Sequence, residues 1–153
     1  MENQSIISSI AQILIRDIQN TIDEVSSYEN NELLWVKEGA INNSAGNLAL
    51  HIAGAIHHFI GAVLGDNGFV RDRDYEFNAA GTATEGILSG LNDAKNVVQE
   101  VLRHFTDEDL LKDFPAKILG NTMSIGHFLV HLTSHLSYHL GQINYHRRFL
   151  VIS

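Results

Sequence analysis

Apolar residues recur at helical spacing along most of the chain, and this pattern constrains the fold more than any other feature. In the first segment Ile7, Ile10 and Leu14 share one face, which Ile18 and Ile22 continue. Strand-like alternation is rare, and the chain contains a single proline. The sequence therefore predicts an all-α protein built as a four-helix bundle. The predicted helices cover residues 4–27, 45–64, 84–104 and 124–149.

Polar residues mark the ends of these predicted helices. Ser44 is the expected N-cap of the second helix, and either Thr122 or Ser124 begins the fourth. The second helix also contains Gly54 and Gly61, seven residues apart on one side. Because helix interiors disfavour glycine, these two positions predict the close approach of a neighbouring segment.

A long connection joins the second and third predicted helices. It covers about residues 69–83 and contains the alternately charged stretch "RDRDYEF". We expect Arg71, Asp72, Arg73 and Glu76 to form a salt-bridged clamp in this loop rather than to act as catalytic groups.

The composition limits the classes of function that are open to the chain. Its 153 residues suffice for a single domain over 1–153 and are too few for two comfortable ones. A net charge of −8, with only 10 Lys and Arg, argues against nucleic acid as a partner. The chain has no cysteine, so it supplies neither thiolate metal ligands nor a cysteine nucleophile.

The sequence also bears on location. The N-terminus lacks the basic and apolar regions of a secretory signal. Residues 48–65 are uncharged and about long enough to span a membrane, but they include three histidines, which favours a buried bundle helix. We therefore expect a cytoplasmic protein that does not bind a membrane.

The last predicted helix is unusually rich in histidine. Four of these residues recur at intervals of four, namely His127, His131, His135 and His139. Side chains at this spacing share a helix face with Cβ atoms about 6 Å apart, so a neighbouring pair can chelate one ion. The HExxH pattern of helical metalloproteases is missing, because Phe or Leu follows each histidine. Residues 45–64 and 124–153 contain no Asp or Glu, which excludes a di-iron carboxylate centre.

A third ligand would have to come from another helix, and the second helix offers candidates. His51 and His58 lie on one side of it, whereas His57 points away. His51 and His58 are nearly two turns apart, so they cannot both bind one ion. A bundle without metal, in which the histidines bond to carbonyls or to each other, fits the same spacing. Spacing alone leaves both interpretations open.

Two segments of the sequence favour the metal site. "NSAGNLALHIAG" and, far downstream, "HLSYHLGQI" resemble the motifs of the DinB-like (DinB/YfiT) superfamily of metal-dependent enzymes. The first matches the helix-2 histidine of that superfamily, and the second its H-x-x-x-H-x-G-Q-[IL] signature. The stretch "GFVRDRDYEF" is similar to its connecting segment, and the resemblance covers about residues 42–148. It implies one divalent metal ion bound by His51, His135 and His139.

The resemblance also bears on neighbouring residues. His131 stands where members of the superfamily often have a histidine that is not counted as a ligand. His58, Gln142 and His146 are candidates to lie beside the ligands or to line the pocket, and a purely structural role is the alternative for each. The motifs do not identify a catalytic residue.

A site with three imidazoles leaves at least one coordination position open, as catalytic metal sites do. The bound ion can acidify a water molecule or hold a thiolate. The resemblance implies thiol-dependent S-transferase-like chemistry on a small-molecule substrate, with the thiol supplied by a low-molecular-weight cofactor. A metal-water hydrolase and a non-enzymatic metal-binding stress-response protein are the alternatives. Zinc or nickel is the expected metal, and iron and copper stay open because imidazole suits all four.

The first predicted helix bears on assembly. Ile6, Ile13 and Ile15 widen its apolar stripe beyond what one core face needs. Exposed apolar stripes often mark interfaces, and dimers occur among the proteins that this chain resembles. We therefore expect a homodimer.

Overall fold

The computed structural model describes residues 4–151, and helices account for most of them. Within that range extended residues pair only in isolated bridges, so the all-α prediction is confirmed. Four helices are long and fall close to the predicted ranges, and a fifth is short. They are α1 (Ile6–Ser26), α2 (Ala45–Ile56), α3 (Arg73–Asn78), α4 (Thr84–Leu102) and α5 (Ile125–Leu150).

Serine side chains fix the starts of three long helices. Ser5, Ser44 and Ser124 each accept a hydrogen bond from the backbone N–H three residues further on. At the start of α2 the Asn47 side chain in turn accepts a hydrogen bond from the Ser44 backbone N–H, and this pair of bonds forms a capping box. The predicted cap at Ser44 is confirmed, and Ser124 rather than Thr122 begins α5.

A π-helix continues directly from the end of α2. Residues His57–Leu64 form a π-helix, with the Gly65 N–H bonded to the Ile60 carbonyl at 2.9 Å. The sequence predicts a helix over this range but not the wider turns. A Cβ added at Gly61 would lie 2.6 Å from Asn67 Nδ2 and 3.2 Å from Val97 Cγ1. Glycine is therefore needed here for close packing, as its place in the helix predicts.

The short helix α3 lies inside the connection that the sequence predicts as a loop. Asp72 caps its N-terminus, and Asn47 Nδ2 donates to the carbonyls of Glu76 and Ala79 at 3.0 and 2.9 Å. A Cβ at Gly54 would overlap the Glu76 carboxylate, so glycine lets this carboxylate approach α2. The prediction of four helices therefore omits α3, which is anchored to the start of α2.

The long helices enclose a single cluster of buried apolar side chains. α1 packs on α4 and α5, whereas α2 packs on α3, α4 and α5. Phe128, Leu132 and Leu136 form the buried row of α5, and each directly follows a residue of the histidine series. The histidines therefore lie at the edge of the core, where a polar ring can be partly buried.

Among residues 4–151, one stretch, Ala45–Leu64, is long and apolar enough to cross a membrane by length and composition. In the folded chain 61% of the apolar 18-residue segment within this stretch is buried inside the protein. This burial agrees with the predicted core helix of a bundle.

Candidate metal centre

Three imidazole rings meet between α2 and α5. His51 Nε2 lies 3.2 Å from His135 Nε2, and His139 Nε2 lies 3.1 Å from the same atom. His51 is 7% exposed, and His135 and His139 are half-buried. The structure thus brings together the three residues that the resemblance implies as ligands, each with one nitrogen within 4.8 Å of the others.

A buried carboxylate orients the His51 ring. His51 Nδ1 lies 2.9 Å from Glu76 Oε1, and Glu76 is 4% exposed. Arg71 binds the same carboxylate with two donors, Nε to Oε2 and Nη2 to Oε1, both at 2.7 Å. Arg71 Nη2 is also 3.1 Å from His51 Nδ1. The two nitrogens lie close together because both donate a hydrogen bond to Glu76 Oε1.

The Glu76 carboxylate is held in its charged form. Burial raises the pKa of Glu76, but hydrogen bonds from His51 and Arg71 and the charge of Arg71 outweigh it, so the net shift is downward. An ionised carboxylate only accepts hydrogen bonds, so His51 Nδ1 must carry the hydrogen. When the His51 ring carries a single hydrogen, its Nε2 atom is therefore a bare lone pair that faces His135 on α5.

The His139 ring is fixed in the same way from its own helix. His139 Nδ1 lies 2.7 Å from Gln142 Oε1, three residues along α5. The amide oxygen only accepts, so the hydrogen of a neutral His139 ring lies on Nδ1 and its Nε2 is also bare. The Gln142 amide nitrogen lies 3.4 Å from the Tyr138 hydroxyl, which agrees with this orientation.

Three Nε2 atoms therefore converge, and for neutral rings at most one of them carries a hydrogen. They cannot all form hydrogen bonds with one another. His135 Nε2 can donate to only one of its two neighbours, at 3.2 and 3.1 Å. At least one close contact then joins two lone pairs, which repel each other. A cation between the rings would turn this repulsion into three coordinate bonds, so the donor set fits a metal ion.

The surroundings of His135 and His139 favour the neutral ring, which is the form that binds a metal. Burial is the main reason that the pKa of His135 falls to about 4, and repulsion from the positive charge that His139, His51 and His131 carry when protonated, and from that of Arg71, lowers it further. Burial also lowers the pKa of His139; the Gln142 hydrogen bond opposes this shift, and repulsion from a protonated His51 adds to it. Protons therefore compete weakly for these two rings at neutral pH.

Two of the three nitrogen separations are close to those of a bound divalent ion. Zinc–imidazole bonds of about 2.0–2.1 Å place neighbouring nitrogens of a tetrahedral site about 3.3 Å apart. His135 Nε2 lies 3.2 Å from His51 Nε2 and 3.1 Å from His139 Nε2, and all three ligand atoms lie within 4.8 Å of one another. The three rings supply three ligands, so a fourth position is left for an outside molecule.

Comparisons with known proteins identify the family of the chain. A family described as "Protein of unknown function (DUF1572)" matches residues 4–151. The chain belongs to this family. DUF1572 is part of the DinB-like fold group, so the resemblance inferred from the motifs is confirmed.

A solved structure supports the same assignment. The crystal structure of a DinB-like protein from Bacillus cereus ATCC 10987 is similar to this chain, with a TM-score of 0.76 and 20% sequence identity. The match covers 98% of this chain and 95% of that one. At this identity the likeness shows the shared fold. Among the curated proteins, no match is found.

The other histidines of the DUF1572 chain lie outside the cluster. His131 is exposed, with its ring centroid 6.3 Å from that of His135. His57 faces α4, where its Nε2 bonds the Gly90 carbonyl at 3.1 Å. His58 contacts Phe59 edge-on, and burial and then the charge of Arg71 lower its pKa.

His146 has a structural role. Its Nε2 donates to the Val36 carbonyl at 2.8 Å, and its Nδ1 lies 2.7 Å from the Tyr28 hydroxyl. Both ring nitrogens are therefore occupied by protein partners. Gln142, in contrast, contacts a ring of the cluster directly.

Glu76 has a role that the sequence does not predict. The charged stretch predicts a salt-bridged clamp, and the Arg71–Glu76 pair confirms that contact, but no sequence pattern connects Glu76 with His51. Asp72 instead caps α3, and Arg73 lies over the Phe77 ring, 4.9 Å from its centroid. Gly54 was the available signal, because a glycine on the same helix as His51 predicts a close neighbour.

Proposed function

We propose that this chain is a metal-dependent enzyme that holds one divalent ion, zinc or nickel, through His51, His135 and His139. The observation that carries the proposal is the meeting of three Nε2 atoms whose neighbours allow at most one hydrogen between them. Iron or copper would suit the same imidazole ligands.

Each group around the site has a defined task in this proposal. Glu76 and Gln142 hold hydrogens on Nδ1 of two rings and so direct both Nε2 lone pairs inward. Three neutral imidazoles leave the charge of the ion uncompensated. When bound, a divalent ion supplies a Lewis acid that lowers the pKa of a coordinated water or thiol.

We propose thiol-dependent group transfer as the reaction class. The chain has no cysteine, so the sulfur would come from a low-molecular-weight thiol. The thiol loses its proton to solvent, and its sulfur forms a bond to an electrophilic carbon of a small-molecule substrate. The leaving group of that carbon departs with the bonding electron pair. Resemblance to the DinB-like superfamily is the reason for placing this class before hydrolysis.

Site-directed variants test the metal site. Replacing His51, His135 or His139 by alanine is expected to abolish stoichiometric metal binding, measured by elemental analysis and by competition with a chromophoric chelator. His57→Ala is the matched control, because its ring bonds to α4 instead. His131→Ala tests the register: loss of metal here with retention in His139→Ala would move the ligand pair by one turn.

Activity assays test the reaction class. Metal-loaded protein is incubated with a panel of low-molecular-weight thiols and alkyl electrophiles, and the thioether product is measured by mass spectrometry. Turnover by the wild type that His135→Ala lacks would support the transferase. Hydrolysis of esters or amides without any thiol would support a metal-water hydrolase in its place. Metal binding with neither activity would favour a non-enzymatic metal-binding protein.

We also propose that the protein is a cytoplasmic homodimer that acts on a small molecule and binds neither nucleic acid nor membrane. Ile6 and Ile13, seven residues apart on α1, are 61% and 39% exposed, which supports an interface on this face. Light scattering at micromolar concentration is expected to give twice the mass of one chain. A change of Ile13 to lysine is expected to give the monomeric mass.

A further inference from the structure

A largely apolar cleft of about 340 Å³ lies between α5 and the start of α2, and its lining includes Gln142, which contacts the histidine cluster. Its walls come from the segment that precedes α2, from the first turn of α2 and from the C-terminal half of α5. Val36, Ile41, Leu48, Tyr145 and Phe149 supply most of the apolar surface. A cleft of this size and lining is in the range that small molecules occupy in proteins.

Two residues connect the cleft to the candidate metal centre. Gln142 lines the cleft, and its Oε1 accepts from His139 Nδ1 at 2.7 Å. Leu48 also lines the cleft, one helical turn before His51 on α2. Gln142 bonds one nitrogen of the His139 ring, and the other nitrogen of that ring belongs to the cluster. The cleft and the centre therefore share neighbouring residues on both α2 and α5.

We infer that this cleft binds the uncharged alkyl or aryl body of the substrate whose reacting group lies at His51, His135 and His139. This inference rests on the proposed function and adds the class of substrate to it. The reacting partner is then an apolar molecule with one functional group at its end rather than a sugar, nucleotide or free amino acid.

The polar groups of the lining support an uncharged body. Glu38 is the one charged side chain among the residues that line the cleft, so an anionic ligand would meet repulsion and find no cation. The His146 ring lies in the wall, but its nitrogens already bind Val36 and Tyr28. Asn43 and Gln142 contribute uncharged amides, and the other lining residues are aliphatic or aromatic, including Tyr145 and Phe149, each 74% exposed.

A fluorescent probe tests the cleft without relying on the metal or on activity. N-phenyl-1-naphthylamine is neutral and apolar, and we expect one molecule to bind per chain of full-length protein. Its anionic relative 8-anilino-1-naphthalenesulfonate is expected to bind more weakly. Phe149→Ala is expected to weaken binding of the neutral probe about tenfold, through the loss of apolar contact area.

Val130→Ala is the matched control for this variant. Val130 is also an exposed apolar residue of α5, 58% exposed, but it does not line the cleft. Its replacement is expected to leave probe binding unchanged. Equal effects of the two variants, or tighter binding of the anionic probe, would overturn the inference. The inference would also be overturned if the protein were a dimer that does not bind the probe and if Phe149→Ala made it a monomer. The cleft would then be an interface between two copies of the chain.

A thiol series tests whether one molecule can occupy the cleft and the centre together, with the thiol standing in for the substrate. In zinc-loaded protein, 3-phenylpropane-1-thiol is expected to bind at least about tenfold more tightly than 2-mercaptoethanol, with Phe149→Ala removing the difference. Both thiols binding equally would overturn the cleft assignment and leave the thiol chemistry in place. Probe binding in the cleft with neither thiol bound would refute the proposed thiol chemistry and leave the cleft assignment in place.

Discussion

Changing Glu76 to glutamine tests whether this carboxylate supports the metal centre or only the fold. The substitution keeps the shape of the side chain and removes its charge. At present Oε1 accepts from His51 and Arg71, and Oε2 accepts from Arg71. A glutamine has one acceptor oxygen, so its NH2 group must face a donor of either Arg71 or His51.

The expected loss has two parts. The Arg71 and Glu76 side chains are only 11% and 5% exposed, and removing one charge of such a pair costs about 3–5 kcal/mol in the free energy of unfolding. Arg71 keeps some contact with solvent, so we expect about 3 kcal/mol. Whichever way the amide turns, the His51 ring loses its ionised acceptor, and loss of such a partner typically weakens metal binding by about 10- to 100-fold, or about 1.4–2.7 kcal/mol.

Urea denaturation of the metal-free protein measures the first part, and chelator competition with the folded variant measures the second. Glu100→Gln is the matched control, because Glu100 pairs with Arg103 at the surface, with side chains 65% and 61% exposed. It is expected to change unfolding by at most about 0.5 kcal/mol and metal binding not at all. A Glu76→Gln variant that is less stable but binds metal with the wild-type Kd would refute an orienting role for Glu76.

Three other predictions follow from the same contacts. Gly54→Ala adds a Cβ that overlaps Glu76, so it is expected to weaken metal binding severalfold while keeping every charge, as chelator competition would show. The lowered pKa of His135 means that the unfolded chain binds more protons than the folded one between pH 6.5 and about 4. Urea denaturation of the metal-free wild type should therefore lose more stability from pH 7 to pH 4.5 than the same measurement on His135→Ala; equal losses would contradict the neutral ring. Ser44→Ala removes the capping box with Asn47 and is expected to cost about 1 kcal/mol in urea denaturation, whereas no loss would mean that the cap is dispensable.

The long helices could be predicted because their signals are local. Apolar spacing fixes the buried face of α1 through Leu14 and Ile18, and a serine before an apolar run fixes the start of α2 at Ser44. α3 has only six residues, too few for a periodic pattern. The Asn47 side chain, from a distant part of the chain, holds it in place.

The site shows the same division between local and long-range information. The spacing of the histidines on α5 predicts a chelating face, but it does not say which turn lies opposite His51. The packing of α2 on α5 decides this, and it places His139 in the cluster while His131 stays exposed. Glu76 lies 25 residues from His51, so no local pattern connects the two. The DinB-like resemblance supplied the ligand set that spacing left open.

The metal content of the purified protein tests the central claim most directly. Full-length protein is loaded with zinc or nickel, freed of excess ion and measured by elemental analysis beside His135→Ala and His131→Ala. The three converging Nε2 atoms predict one ion per chain in the wild type and in His131→Ala, and none in His135→Ala. A wild type that retains no stoichiometric metal, or a His135→Ala variant that retains all of it, would contradict the proposed metal centre.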